Sequence, residues 1–460
     1  MWYSRLRVLG AAAGCVALVL TASACSSSGS GGAATAAAAD SGSVTWWGWT
    51  PDTPVAERYI AEFNKEYPKI KVTYKNFENV DFRNTLAPAL DSGKGPDVFD
   101  LAPGGGSPDL WGPYAIDLAP LAKSVLGADW ESKFAGGYVK QLTTSKGTFV
   151  SLPIGGISAG FIWYDSEMLA QAGADVPTDY ASWVATCAKI ASIGKTCFTM
   201  GAGGADTFPT EMFHSIANSV DPAFFLAAAT GKAKWDDPAG VEILQIIKKM
   251  KDDGIIAPDA LDAGQYPLAN EAFMKQKAAM VQMGFWYTQY AGAESCKVSM
   301  ESAGVSNPTC FTQLPMAFPD VAGKGNHSLY FGEADYGLAI NSQSPNIAAS
   351  KTFVTWMTMS KTGQQNVANA IDVLPALKGV TPDWNAIKLV NKSVQQPAIE
   401  KLIADSTSIT ESRQWQTTEA TLDAIVLAIQ NVLDPTVSTP IKDIAAQLQA
   451  SSKPSTVGVG

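Results

Sequence analysis

An α/β fold with two large, interleaved lobes is predicted for this 460-residue chain by three observations. Strand-like and helix-like runs alternate from residue 44 onwards, as in chains built around parallel sheets. The run PDVFDLA (96–102) is more continuously apolar than its neighbours, which suits a strand covered on both faces. Some 436 residues follow a short apolar leader, enough for two hydrophobic cores, and nothing after residue 43 has a linker's composition.

The elements are justified in chain order. Val44 to Trp49 is a short β-like run. Thr53 can cap, and Pro54 can open, a helix whose apolar residues Val55, Tyr59, Phe63 and Tyr67 recur every four. KIKVTYKNF (69–77) alternates Ile70, Val72 and Tyr74 as a second strand. A helix around Phe82 to Leu90 leads to the third, completing a βαβαβ unit. Such sheets place ligands at the carboxyl ends of their strands. GTFVSLP and AGFIWYD read as strands on either side of Ile154 to Ser158. Further helix caps are legible at Asp165 or Ser166, Asp179, Asp237 with Pro238, and Ser344 with Pro345.

Residues 1–24 read as an export signal: Arg5 and Arg7, an apolar run from Val8 to Leu20, and the small-residue exit Ala22-Ser23-Ala24. Thirteen apolar residues are too few to span a bilayer. Cleavage before Cys25 resembles the lipobox of bacterial lipoproteins, with Ala22 where Leu or Val is usual, so lipidation of Cys25 and plain secretion both stay open. Residues 26–43 have nothing to bury and form a flexible tether, about 20 to 25 Å end to end.

Removing the leader takes away two arginines and moves the formal charge from -10 to -12. An acidic chain with scattered lysines has no footprint for nucleic acid. Of six cysteines, Cys15 lies in the leader and Cys25 at the lipid site. The other four, Cys187, Cys197, Cys296 and Cys310, allow three disulfide pairings, of which the two local pairs close the shortest loops. Neither spacing is CxxC, and His214 and His327 lie far from both, so no metal site is expected.

Three enzyme-like strings are weighed. GISAG (156–160) fits G-x-S-x-G, but a nucleophile elbow needs a strand then a helix, and Phe161 to Tyr164 reads as a strand. SIGKT (192–196) resembles a phosphate loop, yet Lys189 stands where that pattern needs glycine. Gly104 to Gly106 lacks dinucleotide spacing. A secreted hydrolase is the alternative reading, either an esterase using Ser158 with His327 as base or a glycosidase with two facing carboxylates.

Six segments in register are similar to the extracellular solute-binding proteins, family 1, of ABC-type sugar importers: VTWWGWTPD, FNKEYPKIKVTY, LDSGKGPDVFDL, SLPIGGISAGFIWYDSEMLAQAGADVPTDYASW, EAFMKQKAAMVQMGFWY and YGLAINSQSPNIAASKTFVTWMT. The resemblance implies a two-lobe periplasmic-binding-protein-like fold (type II) with a hinge and a central ligand cleft. Lobe 1 would hold residues 44–156 and 331–380, and lobe 2 residues 157–330 and 381–460. It implies a carbohydrate ligand, an ABC permease as partner, membrane attachment through the N-terminal lipid, a monomer, no cofactor and no enzymatic activity.

Site residues follow from the same resemblance and from indole chemistry. A pyranose C–H face can lie on an aromatic ring while its hydroxyls reach carboxylates and amides. Each stack hides about 50 Å² and yields about 1 kcal/mol, whereas micromolar binding needs about 8 kcal/mol, so hydrogen bonds must supply most of the rest. Trp49 ends the first strand just before a helix N-terminus and is expected to line the cleft, with Asp52 beside it. Trp46 is expected either in the core or on the ligand wall, and Trp47 in the core. Trp286 and Trp415 match stacking aromatics of the family. Gly104 and Gly105 would offer backbone donors, Glu333 and Asp335 hydroxyl acceptors, and Phe208, in DTFPTE (206–211), an apolar wall. Tyr164 holds the tyrosine of a family motif.

Overall fold

The computed structural model describes residues 39–204, 208–326, 329–407 and 409–457. The expected signal, Cys25, most of the tether, Asp206 and His327 lie outside the described residues.

In chain order the strands are β1 (Gly42–Gly48), β2 (Ile70–Asn76), β3 (Val98–Leu101), β4 (Leu152–Ala159), β5 (Phe161–Asp165), β6 (Thr196–Thr199), β7 (Ala278–Gln282), β8 (Gln313–Ala317), β9 (Phe331–Ile340) and β10 (Leu374–Pro375). They form a six-stranded sheet, ordered β10-β4-β9-β3-β1-β2, and a four-stranded sheet, ordered β6-β7-β5-β8. β1 pairs in parallel with both β2 and β3, the βαβαβ unit read from the sequence. Helix Thr53–Glu66 between β1 and β2 carries proline in its first turn and buries Val55, Ala56, Tyr59 and Phe63, a single apolar face. Asp52, not Thr53, holds its N-cap position.

β9 and β4 join the first sheet antiparallel, and β10 closes its edge. β4 is a single strand through Ile154 to Ser158, where the sequence suggested a break between two strands, although its register against β9 shifts between Pro153 and Gly156. Gly155 and Gly156 serve close packing. A Cβ on Gly155 would stand 2.4 Å from the Leu374 carbonyl oxygen, and one on Gly156 would stand 1.9 Å from the Tyr138 hydroxyl. The break falls at Gly160, whose φ of 98° suits glycine. There the chain leaves the first sheet for β5 in the second. A Cβ on Gly160 would meet the Leu329 carbonyl oxygen at 2.7 Å, on the return segment from β8 to β9. The two crossing segments thus touch backbone to backbone.

Around the second sheet one core joins Trp183, Phe213, Ile243 and Ile247 to Ile425, Ile429 and Leu448, so helices Glu419–Leu433 and Ile441–Ser451 pack on this side. Asp165 caps helix Ser166–Ala172 by accepting from the backbone N–H groups of Glu167 and Met168, and Asp179 forms a capping box with Ser182. Cys187 is bonded to Cys197 and Cys296 to Cys310, the two local pairs. Among the described residues no helix is long and apolar enough to cross a membrane.

Candidate functional site

A cavity of about 490 Å³ opens between the two sheets. On the first side its wall comes from the carboxyl ends of β1 and β3 and from β9. Trp49 follows β1 directly and packs edge-on against Phe82, with ring centroids 5.2 Å apart. Asp52 sits at the N-terminus of helix Thr53–Glu66, and Gly104 on the turn after β3. Glu333 and Asp335, two apart on β9, both reach the cavity.

The facing wall is aromatic. Phe208 lies 5.8 Å from Tyr266 and 5.7 Å from Trp286, ring centroid to ring centroid. The Trp286 indole N–H donates to the Tyr266 hydroxyl at 3.1 Å. Gly284 makes room for this ring, since a Cβ there would stand 2.1 Å from Trp286 Cζ3. Tyr290, also on this wall, donates its hydroxyl to Asp52 Oδ2 at 2.7 Å and so joins the two sides.

Arg413 meets both. Its Nε donates to Glu211 Oε1 at 2.6 Å, and its guanidinium carbon lies 5.3 Å from the Trp286 ring centroid. Glu211 belongs to helix Pro209–Val220, whose residues are all buried. Within it Ser215 donates to the Glu211 carbonyl, and Ser219 donates to Asp320. The backbone N–H groups of Gln414 and Trp415 donate to Glu333 Oε2 at 2.9 and 2.7 Å. Arg413, Gln414 and Trp415 therefore grip the acidic face of β9.

The electrostatics follow from burial. Burial pushes the Asp335 carboxyl up to about 7; Arg413 opposes this, while Asp372, Glu333 and Glu211 add to it. Burial also raises Glu333, against Arg413 and the backbone donors, and raises Asp52, against the Tyr290 hydroxyl. For Arg413, burial works against the charge, but Glu211 and Glu333 outweigh it and the guanidinium is held ionised. The result is a wall of acceptors and poised donors beside flat apolar rings, suited to hydroxyl-rich ligands.

Of the residues singled out in the sequence, Trp49, Asp52, Gly104, Phe208, Trp286, Glu333 and Asp335 line this one cavity. Four do not. Trp46 is 0 % exposed, packs on Tyr74 and Phe353, and donates its indole N–H to Asp100 at 2.8 Å. Strand alternation turns it to the core, while Trp47 lies half-buried on the other face against Phe77. Gly105 faces Glu419, not the cavity. Tyr164 pairs within β5 and packs on the second core. Trp415 contributes its backbone N–H, while its ring lies under Lys140, 5.5 Å from Nζ.

Sequence reasoning missed Arg413, Tyr266 and Tyr290. Arg413 stands two residues from Trp415 in a stretch with no periodicity, and a lone cation among acids was the available signal. Ser158 is buried near the end of β4, is followed by strand β5 and not by a helix, and has its hydroxyl 2.7 Å from that of Ser406, so it has neither the elbow nor the access of a nucleophile.

The profile of the family described as bacterial extracellular solute-binding protein matches residues 46–364. Among solved structures the chain is similar to a chitin oligosaccharide binding protein, at 21% identity and a TM-score of 0.67, with 90% of this chain and 98% of that one covered. It is also similar to T. maritima MalE3 with maltose bound, at 17% identity and a TM-score of 0.69, covering 89% and 98%. A third is the GacH receptor of Streptomyces glaucescens, solved unliganded and with acarbose, at 22% identity and a TM-score of 0.66, covering 90% and 100%. No curated protein sequence matches the chain. With its two sheets, central cavity and family profile spanning most of its length, the chain belongs to the bacterial extracellular solute-binding proteins.

Proposed function

We propose that the chain captures a mono- or oligosaccharide between two lobes and hands it to the permease of an ABC importer. Lobe 1 comprises residues 44–159 and 331–380, lobe 2 residues 161–330 and 381–460, with the hinge at the Gly160 crossing. The observation that carries the reading is a cavity with Trp49 on one wall, the Phe208, Tyr266 and Trp286 rings on the other, and Glu333 and Asp335 between them. Rings align a sugar's C–H faces while carboxylates and the Arg413 guanidinium take its hydroxyls. The similar structures named above are proteins of chitin oligosaccharide, maltose and acarbose binding, which supports the same ligand class. Trp49, Asp52, Gly104, Phe208, Trp286, Glu333 and Asp335 are the proposed contacts, joined by Tyr266, Tyr290 and Arg413.

The chain acts at the outer face of the cell membrane as a monomer, held by lipid on Cys25 after removal of residues 1–24, and catalyses no reaction. Thermal melting against a panel of mono-, di- and oligosaccharides tests the ligand class. A sugar at about 100 times its Kd stabilises by about 2.7 kcal/mol, a readily measured rise in Tm. Shifts with amino acids or polyamines and none with any carbohydrate would move the ligand to another class.

A further inference from the structure

Two ion pairs tie elements of the first sheet to elements of the second. Arg58, on helix Thr53–Glu66, meets Glu294, on helix Ala293–Ser302, at 2.8 Å. Arg83, on helix Asn79–Asp91, meets Glu419, the first residue of helix Glu419–Leu433, at 2.8 Å. The first helix of each pair is a crossover of the βαβαβ unit. Helix Ala293–Ser302 follows β7, and helix Glu419–Leu433 is built into the second core. Both pairs border the cavity: Asp52 and Ser299 line it near one, Phe82 and Gln414 near the other.

We infer that the Arg58–Glu294 and Arg83–Glu419 pairs are a two-point clasp on the closed arrangement, so that ligand affinity is set partly by charge pairs at the rim of the cavity. This rests on the reading that two lobes close around a solute. Arg58, Glu294 and Glu419 are absent from the cavity wall, so the first pair acts on the closing equilibrium alone, while Arg83 also lines the cavity. Side-chain exposures of 42% and 67% for the first pair, and 41% and 47% for the second, put both in reach of solvent and salt. An exposed pair shifts an equilibrium by about 1.5- to 5-fold, and the apparent affinity scales with the closed fraction. Reversing one partner replaces attraction with repulsion and widens the shift. Ions at about 1 M shorten the Debye length to about 3 Å and remove most of the effect.

The test needs no ligand. Small-angle X-ray scattering of the purified chain is compared for wild type, R58E/R83E, and the complementary swap R58E/E294R/R83E/E419R, at about 0.01 M and about 1 M salt. The clasp predicts a larger radius of gyration for R58E/R83E at low salt, a return to the wild-type value in the swap, and a smaller difference at high salt. Superposable profiles for wild type and R58E/R83E would overturn it. So would an expansion that the swap does not reverse, since that would report lost packing instead of charge pairing. Should R58E/R83E melt early, Arg83→Gln and Glu419→Gln give the same comparison with gentler changes. No sugar enters the experiment, so a failed carbohydrate screen and a failed clasp are separate results.

Discussion

Arg413 donates to Glu211 at 2.6 Å across side chains that are 14% and 1% exposed, the most buried of the ion pairs described. Removing one partner of such a pair costs about 3–5 kcal/mol when the other is left uncompensated. Glu333 and Asp335 stay close to Arg413, so Glu211→Gln should fall below that range, at about 2 kcal/mol. Arg413→Met strands three acids together and should cost more, increasingly as pH rises from 5 to 8. Urea denaturation of both variants checks the order; a larger loss for Glu211→Gln would contradict it.

The carboxyls of Asp335 and Asp372 give a pH dependence whose sign is fixed. Burial raises Asp335 from 3.8 to about 7 and Asp372 from 3.8 to about 6. The folded chain therefore binds more protons than the unfolded chain between these values. Their contribution to stability is present at about pH 4 and is lost as pH climbs to about 6 for Asp372 and about 7 for Asp335, by at most about 1.4 kcal/mol per pH unit for each group. Melting wild type and Asp335→Asn from pH 4.5 to 8 should give a difference that shifts in favour of the variant as pH rises. A constant difference would contradict this.

Trp46 and Trp286 should separate fold from recognition. Trp46→Phe removes the indole N–H from Asp100, a residue 1% exposed, and should cost about 1–3 kcal/mol of stability with little change in sugar affinity. Trp286→Ala should do the opposite, lowering affinity about fivefold or more through the lost stack, with a small change in Tm. Calorimetric titration beside thermal melts distinguishes them, and equal effects of both variants on affinity would count against the site.

The fold was legible because its signals are local. The apolar alternation of Ile70 and Val72, the proline opening helix Thr53–Glu66 and the cap at Asp179 each act within a few residues. β4 was misread because Gly155 and Gly156 answer to Leu374 and Tyr138, which are distant in sequence or in another element. The site was legible through the resemblance and ring chemistry, and the structure adds why Glu333 and Asp335 act together: they lie two apart on β9, where alternation sends both to one face. Trp415 sits in a run without helix or strand, where nothing local says which way a ring will turn.

Ser158→Ala should lower stability by about 1 kcal/mol by depriving the Ser406 hydroxyl of its partner, and should leave any ester turnover of the purified chain unchanged. Assay on a chromogenic acetate ester decides; a turnover abolished by the substitution would revive the hydrolase.

β9 occupies the middle of the six-stranded sheet, between β4 and β3, yet it is made of residues 331–340. A ribosome must therefore release about three quarters of the chain before this sheet can close, and everything upstream has an unpaired edge until then. Truncations ending before residue 331 lack β10 as well and leave the β3-β1-β2 trio and an unpaired β4 instead of one intact sheet, and a nascent chain of that length stays available to chaperones.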